Sequence, residues 1–545
     1  MHGLPRIIKL SMIPWKEVNA LYQIYPRSFM DANGDGVGDL RGIIQRLPYI
    51  KGTHESLGID AVWLSPFFRS PMKDHGYDVS DYRDVDPIFG TLDDFKELLH
   101  EAHSRNVRVM IDFVPNHSSD QHVWFQDALT GRKAEKRDYY VWRDPAPDGG
   151  PPNNWLSLFG GSAWEYDEPS GQYYLHSFLK EQPDLNWDNP VVREEMKNIL
   201  RFWLDMGVDG FRADAVWCIS KDPEFRDNPA NPGYDGAPND HGAFIHRHSK
   251  QGPNLFKYLN ELTQAVNEYD DRRIIFEYYA DYQFGDIYQQ FKPFYTDIDN
   301  DVGLPFNFEG IHQEWSADSF GEFLTKFQEI MEPGDVPIYC FGNHDQPRIA
   351  SRYGEQQARL IALMELTLPG LPTIYNGDEI GMVDGEILPH QVQDPSSTEE
   401  MGGRDPQRTP MQWDDSPNAG FTTGEPWLPV ASSYRERNVK QQIDDDDSFF
   451  TLYTTLLHLR RVDKVLIYGS FELIDIVNNM LVYQRAGDDR LYLVVLNFCD
   501  ETSEANVPYG DILFMTNKND VEEYNEDGYI RMKPHSGVVI KLQTY

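Results

Sequence analysis

Short apolar runs alternate with longer stretches in which apolar residues recur every three or four positions between residues 20 and 375. The short runs predict strands, and the longer periodicity predicts amphipathic helices. The predicted strands lie at residues 20–25, 61–65, 107–112, 208–212, 273–277, 337–341 and 372–375, with a weaker one at 304–308. Clear helical periodicity covers residues 92–104, 191–204 and 256–267.

This alternation determines the predicted fold class, which is α/β. About eight strand–helix units over this length predict a (β/α)8 TIM barrel. A doubly wound open sheet is the alternative, but no glycine-rich phosphate-binding sequence follows the first predicted strand.

Two regions depart from the barrel rhythm. Residues 113–183 are rich in Gly, Pro, Trp and Tyr and too long for an ordinary connection, so they predict an inserted subdomain after strand 3. Alternating strand patterns from residue 464 predict a C-terminal antiparallel β domain, a β-sandwich. The predicted domains are therefore the barrel (1–112 and 184–463), the inserted subdomain (113–183) and the C-terminal domain (464–545).

Composition narrows the classes of partner. The chain has 545 residues, with 49 Lys and Arg against 88 Asp and Glu, for a net charge of −39. Such a surface repels nucleic acid and anionic lipid, so we expect neither as a partner. A hydrophobic content of 40% predicts a large packed core rather than disorder.

Cysteine spacing and hydropathy bear on the cellular compartment. Cys218, Cys340 and Cys499 lack CxxC spacing, which argues against a disulfide framework or a zinc site and fits a reducing compartment. No apolar run approaches about 18 residues, and the N-terminus lacks the apolar segment of a signal peptide. We therefore expect no membrane span and a cytoplasmic location.

The stretch 207–216 joins an arginine to a carboxylate at the end of a predicted strand. Arg212 and Asp214 are two residues apart, so they lie on the same face. A neighbouring guanidinium favours the ionised carboxylate, so we expect Asp214 to be charged at neutral pH. A structural ion pair and a catalytic pair explain this stretch alone equally well.

Oxygen donors alternate along the stretch after the first predicted strand. They are the side chains of Asp31, Asn33, Asp35 and Asp39 and the backbone carbonyl of Val37. Such donors suit Ca²⁺, or Mg²⁺ with waters, although the glutamate that completes an EF-hand loop is absent. We predict a structural Ca²⁺ (or Mg²⁺) site and no organic cofactor. The alternative is an Asx-rich turn without an ion.

Polar clusters follow four other predicted strands. They are Asp74 to Asp78, Asp112 with Asn116 and His117, Glu277, and Asn343 to Asp345. Each alone is explained as a buried hydrogen-bonded group, but together they bring acids and histidines to one end of one barrel.

Several acids without a catalytic cysteine or phosphate loop suit glycosidic cleavage. In that reaction one carboxylate attacks the sugar, and a second, protonated carboxyl donates to the leaving oxygen. Phe276, Tyr278 and Tyr279 surround Glu277 with apolar groups that would raise its pKa for the acid role.

Eight motifs support a family resemblance. They are QIYPRSF (23–29), DxNGDGxGD (31–39), HGYDVSDY (75–82), DFVPNH (112–117), QPDLN (182–186), GFRADA (210–215), FGNHDQPR (341–348) and RTPMQW (408–413). In this order, the motifs span nearly the whole chain. The sequence resembles the α-amylase superfamily, glycoside hydrolase family 13, and within it the α-glucosidase and oligo-1,6-glucosidase branch.

The resemblance implies a role for each matching residue. Asp214 corresponds to the nucleophile and Glu277 to the acid/base. Asp345 corresponds to the acid that binds the sugar hydroxyls in the transition state. The residues implied to bind glucose or to shape the first subsite are Asp74, Tyr77, His117, Arg212, His344, Arg404 and Arg408. The implied mechanism is retaining and passes through a glucosyl ester of Asp214.

The chain departs from the family pattern beside the acid. Phe276 stands where the family usually has glycine before Glu277. Beside the nucleophile is Ala215, and in this branch alanine or threonine there accompanies α-1,4 preference, whereas valine accompanies α-1,6 preference. The resemblance therefore favours maltose-type substrates.

The leading hypothesis is a retaining exo-α-glucosidase that releases α-glucose from the non-reducing end of short α-glucosides, prefers α-1,4 to α-1,6 linkages and can also transfer glucose. The alternatives are an oligo-1,6-glucosidase, or a sucrose isomerase or trehalose synthase on the same scaffold. A non-catalytic receptor or transporter subunit is disfavoured, because all three acids are present. The expected partner is a small oligosaccharide or disaccharide, and the expected assembly is a monomer or homodimer.

Overall fold

Seven parallel strands form the main sheet of the computed structural model, which describes residues 12–52, 55–237, 240–397, 403–487 and 489–543. In spatial order the strands are Gly303–Pro305, Arg273–Phe276, Gly210–Ala213, Arg108–Phe113, Ala61–Leu64, Leu21–Ile24 and Thr373–Tyr375. Every neighbouring pair is parallel. Chain order and spatial order agree apart from the last strand, which pairs with the first, as a barrel requires.

The segment 337–341 closes the barrel between the two outer strands of this sheet. On one side, Asn307 N–H donates to the carbonyl of Ile338 at 2.9 Å, and Cys340 N–H donates to the carbonyl of Asn307 at 3.1 Å. On the other side, Leu371 N–H donates at 3.0 Å to the carbonyl of the first residue of the segment, a proline. A single β-bridge forms here instead of the full strand that the apolar run predicts. The proline supplies no N–H, which shortens the ladder. The (β/α)8 barrel is thereby complete.

Helices pack around this sheet. The longer ones are Leu40–Ile50, Leu92–Ser104, Pro190–Met206, Leu255–Val266, Ala317–Glu329, Glu355–Thr367 and Phe449–Val462. Shorter helices elsewhere in the chain are Pro26–Phe29, Val123–Ala128, Lys292–Thr296, Ile349–Arg352, Val439–Ile443 and Val465–Tyr468. The helix Pro190–Met206 illustrates the local signals: Asn189 caps its first turn, and Gly207 ends it with a φ of 111°. The strand Gly210–Ala213 begins three residues after Gly207.

A small antiparallel sheet lies between the third and fourth barrel strands in chain order. Its strands, in spatial order, are Trp142–Arg143, Gln172–Leu175 and Trp164–Asp167. A separate apolar cluster that includes Trp155 and Trp164 supports it. This sheet falls within the stretch in which an inserted subdomain is predicted.

Antiparallel sheets make up the C-terminal part of the chain. The five-stranded sheet contains, in spatial order, Ser470–Val477, Met480–Ala486, Leu491–Asn497, Gly537–Leu542 and Asp511–Met515. The three-stranded sheet contains Ser503–Asn506, Tyr529–Met532 and Val521–Tyr524. A second apolar cluster, which includes Val482, Leu493 and Ile540, draws residues from both sheets. The change from parallel to antiparallel pairing thus follows the change in hydrophobic pattern.

The three cysteines are free thiols, with Cys218 and Cys340 buried and Cys499 partly exposed. Across the described ranges, every helix is too short or too polar to cross a bilayer.

Two buried arginines join the barrel to the C-terminal domain. Arg460 donates to the carbonyl of Asn19, just before the first barrel strand, at 3.0 Å. It also donates to four further carbonyls, those of Leu366, Leu368, Gly370 and Leu466, at 2.7–2.9 Å. Arg485 donates to carbonyls of Thr367, Val465, Leu466, Gly469 and Ser470. Backbone dipoles, including those at the C-terminal end of the helix Glu355–Thr367, therefore stabilise these charges.

We predict that Arg460→Met lowers the thermal unfolding midpoint sharply. The substitution leaves several buried carbonyls without a donor, at a cost of about 4 kcal/mol or more. Thermal denaturation followed by circular dichroism measures the effect. The control is Arg531→Met, because Arg531 is 46% exposed and lies on the C-terminal domain. Equal midpoints for the two variants would contradict the prediction.

Candidate active site

One guanidinium holds three carboxylates at the carboxyl ends of neighbouring barrel strands. Arg212 Nη1 lies 2.7 Å from Asp214 Oδ1 and 2.7 Å from Asp112 Oδ1. Its Nη2 lies 2.8 Å from Glu277 Oε2. Burial alone would lower the pKa of Arg212, but Asp112, Glu277 and Asp214 outweigh it, so the pKa is raised well above its usual value. The predicted contact between Arg212 and Asp214 is confirmed, and it is part of a larger cluster.

The turn after Asp214 delivers a backbone donor to Glu277. Ala215 adopts the left-handed conformation with a φ of 45°, and its N–H donates to Glu277 Oε2 at 2.6 Å. A left-handed alanine carries some strain, which the cluster offsets. The backbone N–H of the residue after Asp214 thus fixes the orientation of the Glu277 carboxyl group.

The pKa of Glu277 is raised well above its usual value. Burial is the largest cause, and the charges of Asp214 and Asp345 raise it further, whereas Arg212 lowers it. A protonated carboxyl able to act as an acid at neutral pH is the result.

The aromatic residues around Glu277 pack in different directions. Phe276 and Tyr278 both face Phe294, with ring centroids 5.9 and 5.0 Å away. Tyr279 instead stacks on Phe308, with centroids 4.6 Å apart. Phe276 and Tyr278, which flank Glu277 in sequence, thus pack away from its side chain, so the apolar setting predicted from these two rings does not form. The raised pKa of Glu277 comes from its own burial and from the charges of Asp214 and Asp345.

Two arginines hold the third acid, Asp345. Arg408 Nη2 lies 2.6 Å from Asp345 Oδ1, and Arg404 Nη1 lies 3.4 Å from the same oxygen. Burial raises the pKa of Asp345, but the charges of the neighbouring arginines, Arg408 and Arg404 first among them, outweigh it and lower the pKa below its usual value. Asp345 is therefore a carboxylate, in contrast to Glu277.

His344 is held on both ring nitrogens and packs beside two tyrosine rings. Gln23 Nε2 lies 2.7 Å from Nδ1, and the Tyr77 hydroxyl lies 2.8 Å from Nε2. The rings of Tyr25 and Tyr77 stack against it, with centroids 5.5 and 5.7 Å away. Burial lowers the pKa of His344 well below its usual value, so the imidazole is neutral.

A second group of polar side chains borders the site near the inserted sheet. Gln182 Nε2 lies 3.1 Å from both Asp74 Oδ2 and His117 Nε2. Arg404 Nη2 lies 2.7 Å from Asp74 Oδ1 and 2.8 Å from Asp394 Oδ1. Burial lowers the pKa of His117, which is neutral like His344.

The structure brings all ten predicted catalytic and substrate-binding residues into this one connected network. They are Asp74, Tyr77, His117, Arg212, Asp214, Glu277, His344, Asp345, Arg404 and Arg408. Gln23, Asp112, Gln182 and Asp394 also belong to this network and were not predicted as site residues. Three of these lie within motifs in the sequence, whereas Asp394 lies in a long irregular stretch that carries no signal.

Asp112, which the sequence places in a polar cluster at a strand end without a specific role, is the most informative of these four residues. Its Oδ2 accepts from Trp63 Nε1 at 3.0 Å, and its Oδ1 accepts from Arg212. Burial raises the pKa of Asp112 to about 7, against the opposing charge of Arg212. It competes with Asp214 and Glu277 for the same cation.

The predicted metal loop is ordered by its own backbone. Asp31 Oδ1 accepts from the N–H groups of Asn33 and Gly34 at 2.9 and 2.7 Å, and Oδ2 accepts from Gly36 N–H at 2.8 Å. In the same pattern, Asn33 Oδ1 accepts from Asp35 N–H at 2.8 Å.

The other side chains predicted to bind the ion also accept hydrogen bonds from backbone N–H groups. Asp35 Oδ1 accepts from Val37 N–H at 2.9 Å, and Asp39 Oδ1 accepts from Gly42 N–H at 2.6 Å. Within the described residues, no group of three or more His, Cys, Asp or Glu side chains is arranged to hold a metal ion. An ion here would therefore depend on the Asn33 amide and the Val37 carbonyl as well as on carboxylates.

Comparison with known proteins gives a consistent family. The model of the alpha-amylase catalytic domain matches residues 23–469. The chain is 39% identical to an oligo-1,6-glucosidase of Parageobacillus thermoglucosidasius, over 97% of this chain and 99% of the relative. It is 38% identical to Maltase 1 of Drosophila virilis, over 97% and 87% of the two chains.

Solved structures give the same result. A crystal structure of an α-glucosyl transfer enzyme superimposes with a TM-score of 0.89 at 37% identity, covering 97% of this chain and 99% of the other. An isomaltulose synthase from Erwinia rhapontici NX5 superimposes with a TM-score of 0.87 at 36% identity and the same coverage. The resemblance carried by the motifs is confirmed, and the chain belongs to the alpha-amylase family of glycoside hydrolases.

Proposed function

We propose that the protein is a retaining exo-α-glucosidase that releases α-glucose from the non-reducing end of short α-glucosides. The observation that carries this proposal is the Arg212 cluster, which joins Asp214 to a Glu277 whose pKa is raised well above its usual value. A retaining glycosidase needs this pair: one acid that attacks and one that arrives protonated.

The proposed reaction has two steps. Asp214 attacks the anomeric carbon while Glu277 protonates the leaving oxygen, which forms a glucosyl ester and releases the remainder of the substrate. Glu277, now ionised, then takes a proton from water, and the activated water breaks the ester. Arg212 contacts both acids, so its charge balances the negative charge as it moves between them.

The surrounding residues support binding of a terminal glucose. Asp345 is held ionised by Arg404 and Arg408, which suits an acid that accepts hydrogen bonds from sugar hydroxyls. The ion pair between Arg404 and Asp74, at 2.7 Å, borders the same region. Such a pair would close the site beyond one sugar unit, which favours exo-action. We assign His117, His344 and Tyr77 to the same glucose-binding subsite.

A second candidate function is glucosyl transfer or isomerisation. The structural relatives include an α-glucosyl transfer enzyme and an isomaltulose synthase. Both outcomes would use the same glucosyl ester and differ only in whether water or a sugar hydroxyl reaches it. Product analysis at high sugar concentration separates them.

We also propose one structural Ca²⁺ or Mg²⁺ ion in the loop from Asp31 to Asp39. The donors are hard oxygens at alternate positions, as such cations require. Asn33, Asp35 and Asp39 retain oxygen lone pairs beyond their backbone hydrogen bonds. The loop abuts the helix Leu40–Ile50, which Asp39 caps, so the ion would stabilise the fold rather than take part in the reaction.

A cytoplasmic location is a further proposal, supported by the free thiols. Assembly as a monomer or homodimer stays a prediction.

We predict that Asp214→Asn lowers kcat/KM for maltose or an aryl α-glucoside by at least about 10³-fold, because it removes the nucleophile. The control is Asp205→Asn, since the Asp205 side chain lies on the protein surface and bonds Tyr269. Circular dichroism checks that both variants are folded. Near-normal activity in Asp214→Asn would exclude the nucleophile assignment, and β-glucose as the first product of the wild type would exclude retention.

We predict that the wild type hydrolyses maltose with a higher kcat/KM than isomaltose, and that Ala215→Val reduces this ratio. A valine at 215 would narrow the space beside the nucleophile, and its β-branched side chain also strains the left-handed backbone there. Parallel assays on maltose, isomaltose and sucrose measure the ratio. Isomaltose preference in the wild type would refute the argument from Ala215.

We predict that chelation lowers the thermal midpoint by several degrees while kcat at low temperature changes less than about twofold, because the proposed ion binds the native state. Differential scanning fluorimetry with EDTA, then with added Ca²⁺ or Mg²⁺, measures the shift. Asp35→Asn should abolish the response, and a midpoint indifferent to chelator and cation would rule out the ion.

A further inference from the structure

A buried lysine lies on the loop that follows the nucleophile strand. Lys221 is seven residues after Asp214 in the sequence, and its side chain is 7% exposed. Its Nζ lies 2.6 Å from Asp184 Oδ2 and donates to Asn116 Oδ1 at 3.1 Å. A buried ammonium is costly unless it is paired and hydrogen-bonded, as here.

The partner carboxylate is satisfied from three segments of the chain. Asp184 accepts from Asn116 Nδ2 at 3.0 Å and from Ser177 N–H at 2.8 Å, and the Ser177 hydroxyl also donates to it. Burial raises the pKa of Asp184, but Lys221 and the Ser177 donors outweigh it and lower the pKa below its usual value. The ion pair therefore joins the end of the inserted sheet, the third strand's end and the nucleophile loop.

This pair fixes the amide of Asn116 at both ends. Lys221 donates to its oxygen and Asp184 accepts from its nitrogen, so a flip of the amide would break both hydrogen bonds. The same nitrogen lies 3.2 Å from His117 Nδ1. A β-bridge also joins the backbones of His117 and Asp184.

The position of His117 therefore depends on Lys221 without any direct contact. On its other nitrogen, His117 meets Gln182, which also bonds Asp74. The ion pair thus supports one side of the network that holds the proposed glucose site.

Other contacts hold the same loop to the inserted region. Trp155 Nε1 donates to the carbonyl of Arg226 at 2.9 Å, and Asn154 Nδ2 donates to the carbonyl of Asn228 at 2.8 Å. Lys250 pairs with Asp281 at 2.8 Å further along the loop. If Lys221 were replaced, these contacts would still hold the loop to the inserted region. The Asn116 amide oxygen, however, would lose the hydrogen bond from Lys221.

We propose that Lys221 is a positioning residue that orients His117 toward the terminal glucose through the Asn116 amide and the Asp184 carboxylate. This inference rests on the proposed glucosidase function, because it gives His117 a sugar to bind.

The test compares Lys221→Met with Lys250→Met in the full-length protein. Both changes remove a paired lysine from the same loop, but within the described residues Lys250 pairs with Asp281 and makes no hydrogen bond to Asn116, Asp184 or His117. Lys221→Met should lower kcat/KM for maltose at least tenfold and weaken binding of the iminosugar deoxynojirimycin by a similar factor. Lys250→Met should change both less than threefold. Equal, small effects in the two variants would overturn the inference.

A double variant separates positioning from charge neutralisation. Lys221→Met alone leaves Asp184 buried and unpaired, which destabilises the fold, whereas Lys221→Met with Asp184→Asn removes both charges. We expect the double variant to regain the thermal midpoint but to retain the tenfold loss in kcat/KM and in iminosugar affinity. Recovery of activity together with stability would show that the lysine only neutralises a buried acid, and would refute positioning.

The two possible failures are distinguishable. A folded wild type that neither hydrolyses α-glucosides nor binds the iminosugar contradicts the proposed function itself. A wild type that does both, alongside an equally competent double variant, contradicts only the role of Lys221.

Discussion

The active centre depends on one buried cation shared among more carboxylates than it can neutralise. Arg212 contacts Asp112, Asp214 and Glu277, and each carboxylate lies at the end of a different barrel strand or just after it. One positive charge cannot balance three buried negative charges, so at least one acid must retain its proton. The pKa of Asp112 is raised to about 7 and that of Glu277 is raised well above its usual value, so Glu277 is the acid placed to donate a proton. Burial, together with this shortage of positive charge, keeps the proton on Glu277.

The charged groups around Asp345 shift the pKa of that acid in the opposite direction. Asp345 has two arginines, Arg404 and Arg408, and its pKa is lowered. These two guanidinium groups favour the ionised form of Asp345, although Arg404 also pairs with Asp74 and Asp394. Burial and the charges of Asp214 and Asp345 instead favour the protonated form of Glu277. Asp345 contacts two guanidinium groups, whereas Glu277 contacts one. The opposite pKa shifts of these two acids thus follow from burial and from the charged groups around each of them.

Much of the fold and most of the site could be predicted from the sequence, since both follow local patterns. Alternating strands and helices predict the barrel, and polar residues at strand ends converge because parallel strands share one carboxyl end. The segment 337–341 was harder, because a proline reduces its ladder to one bridge. Asp394 was missed because a long irregular stretch has no period from which its neighbours can be inferred. The third contact of Arg212, with Glu277, was also beyond the sequence, since it joins residues 65 positions apart and depends on strand register.

The buried arginines at the domain junction have a consequence for biosynthesis. Arg460 donates to the backbone before the first barrel strand and to the backbone before the last one, and Arg485 lies still later in the chain. Until Arg460 and Arg485 leave the ribosome, the backbone carbonyls that they bind, which include those just before the first and last barrel strands, lack these hydrogen-bond donors. The barrel therefore cannot reach its final stability before the helix Phe449–Val462 and the start of the C-terminal domain have been synthesised. We infer that the pairing of the first and last barrel strands becomes stable late, once the first strands of the C-terminal domain have emerged. A nascent chain stalled before residue 460 would then be a substrate for chaperones.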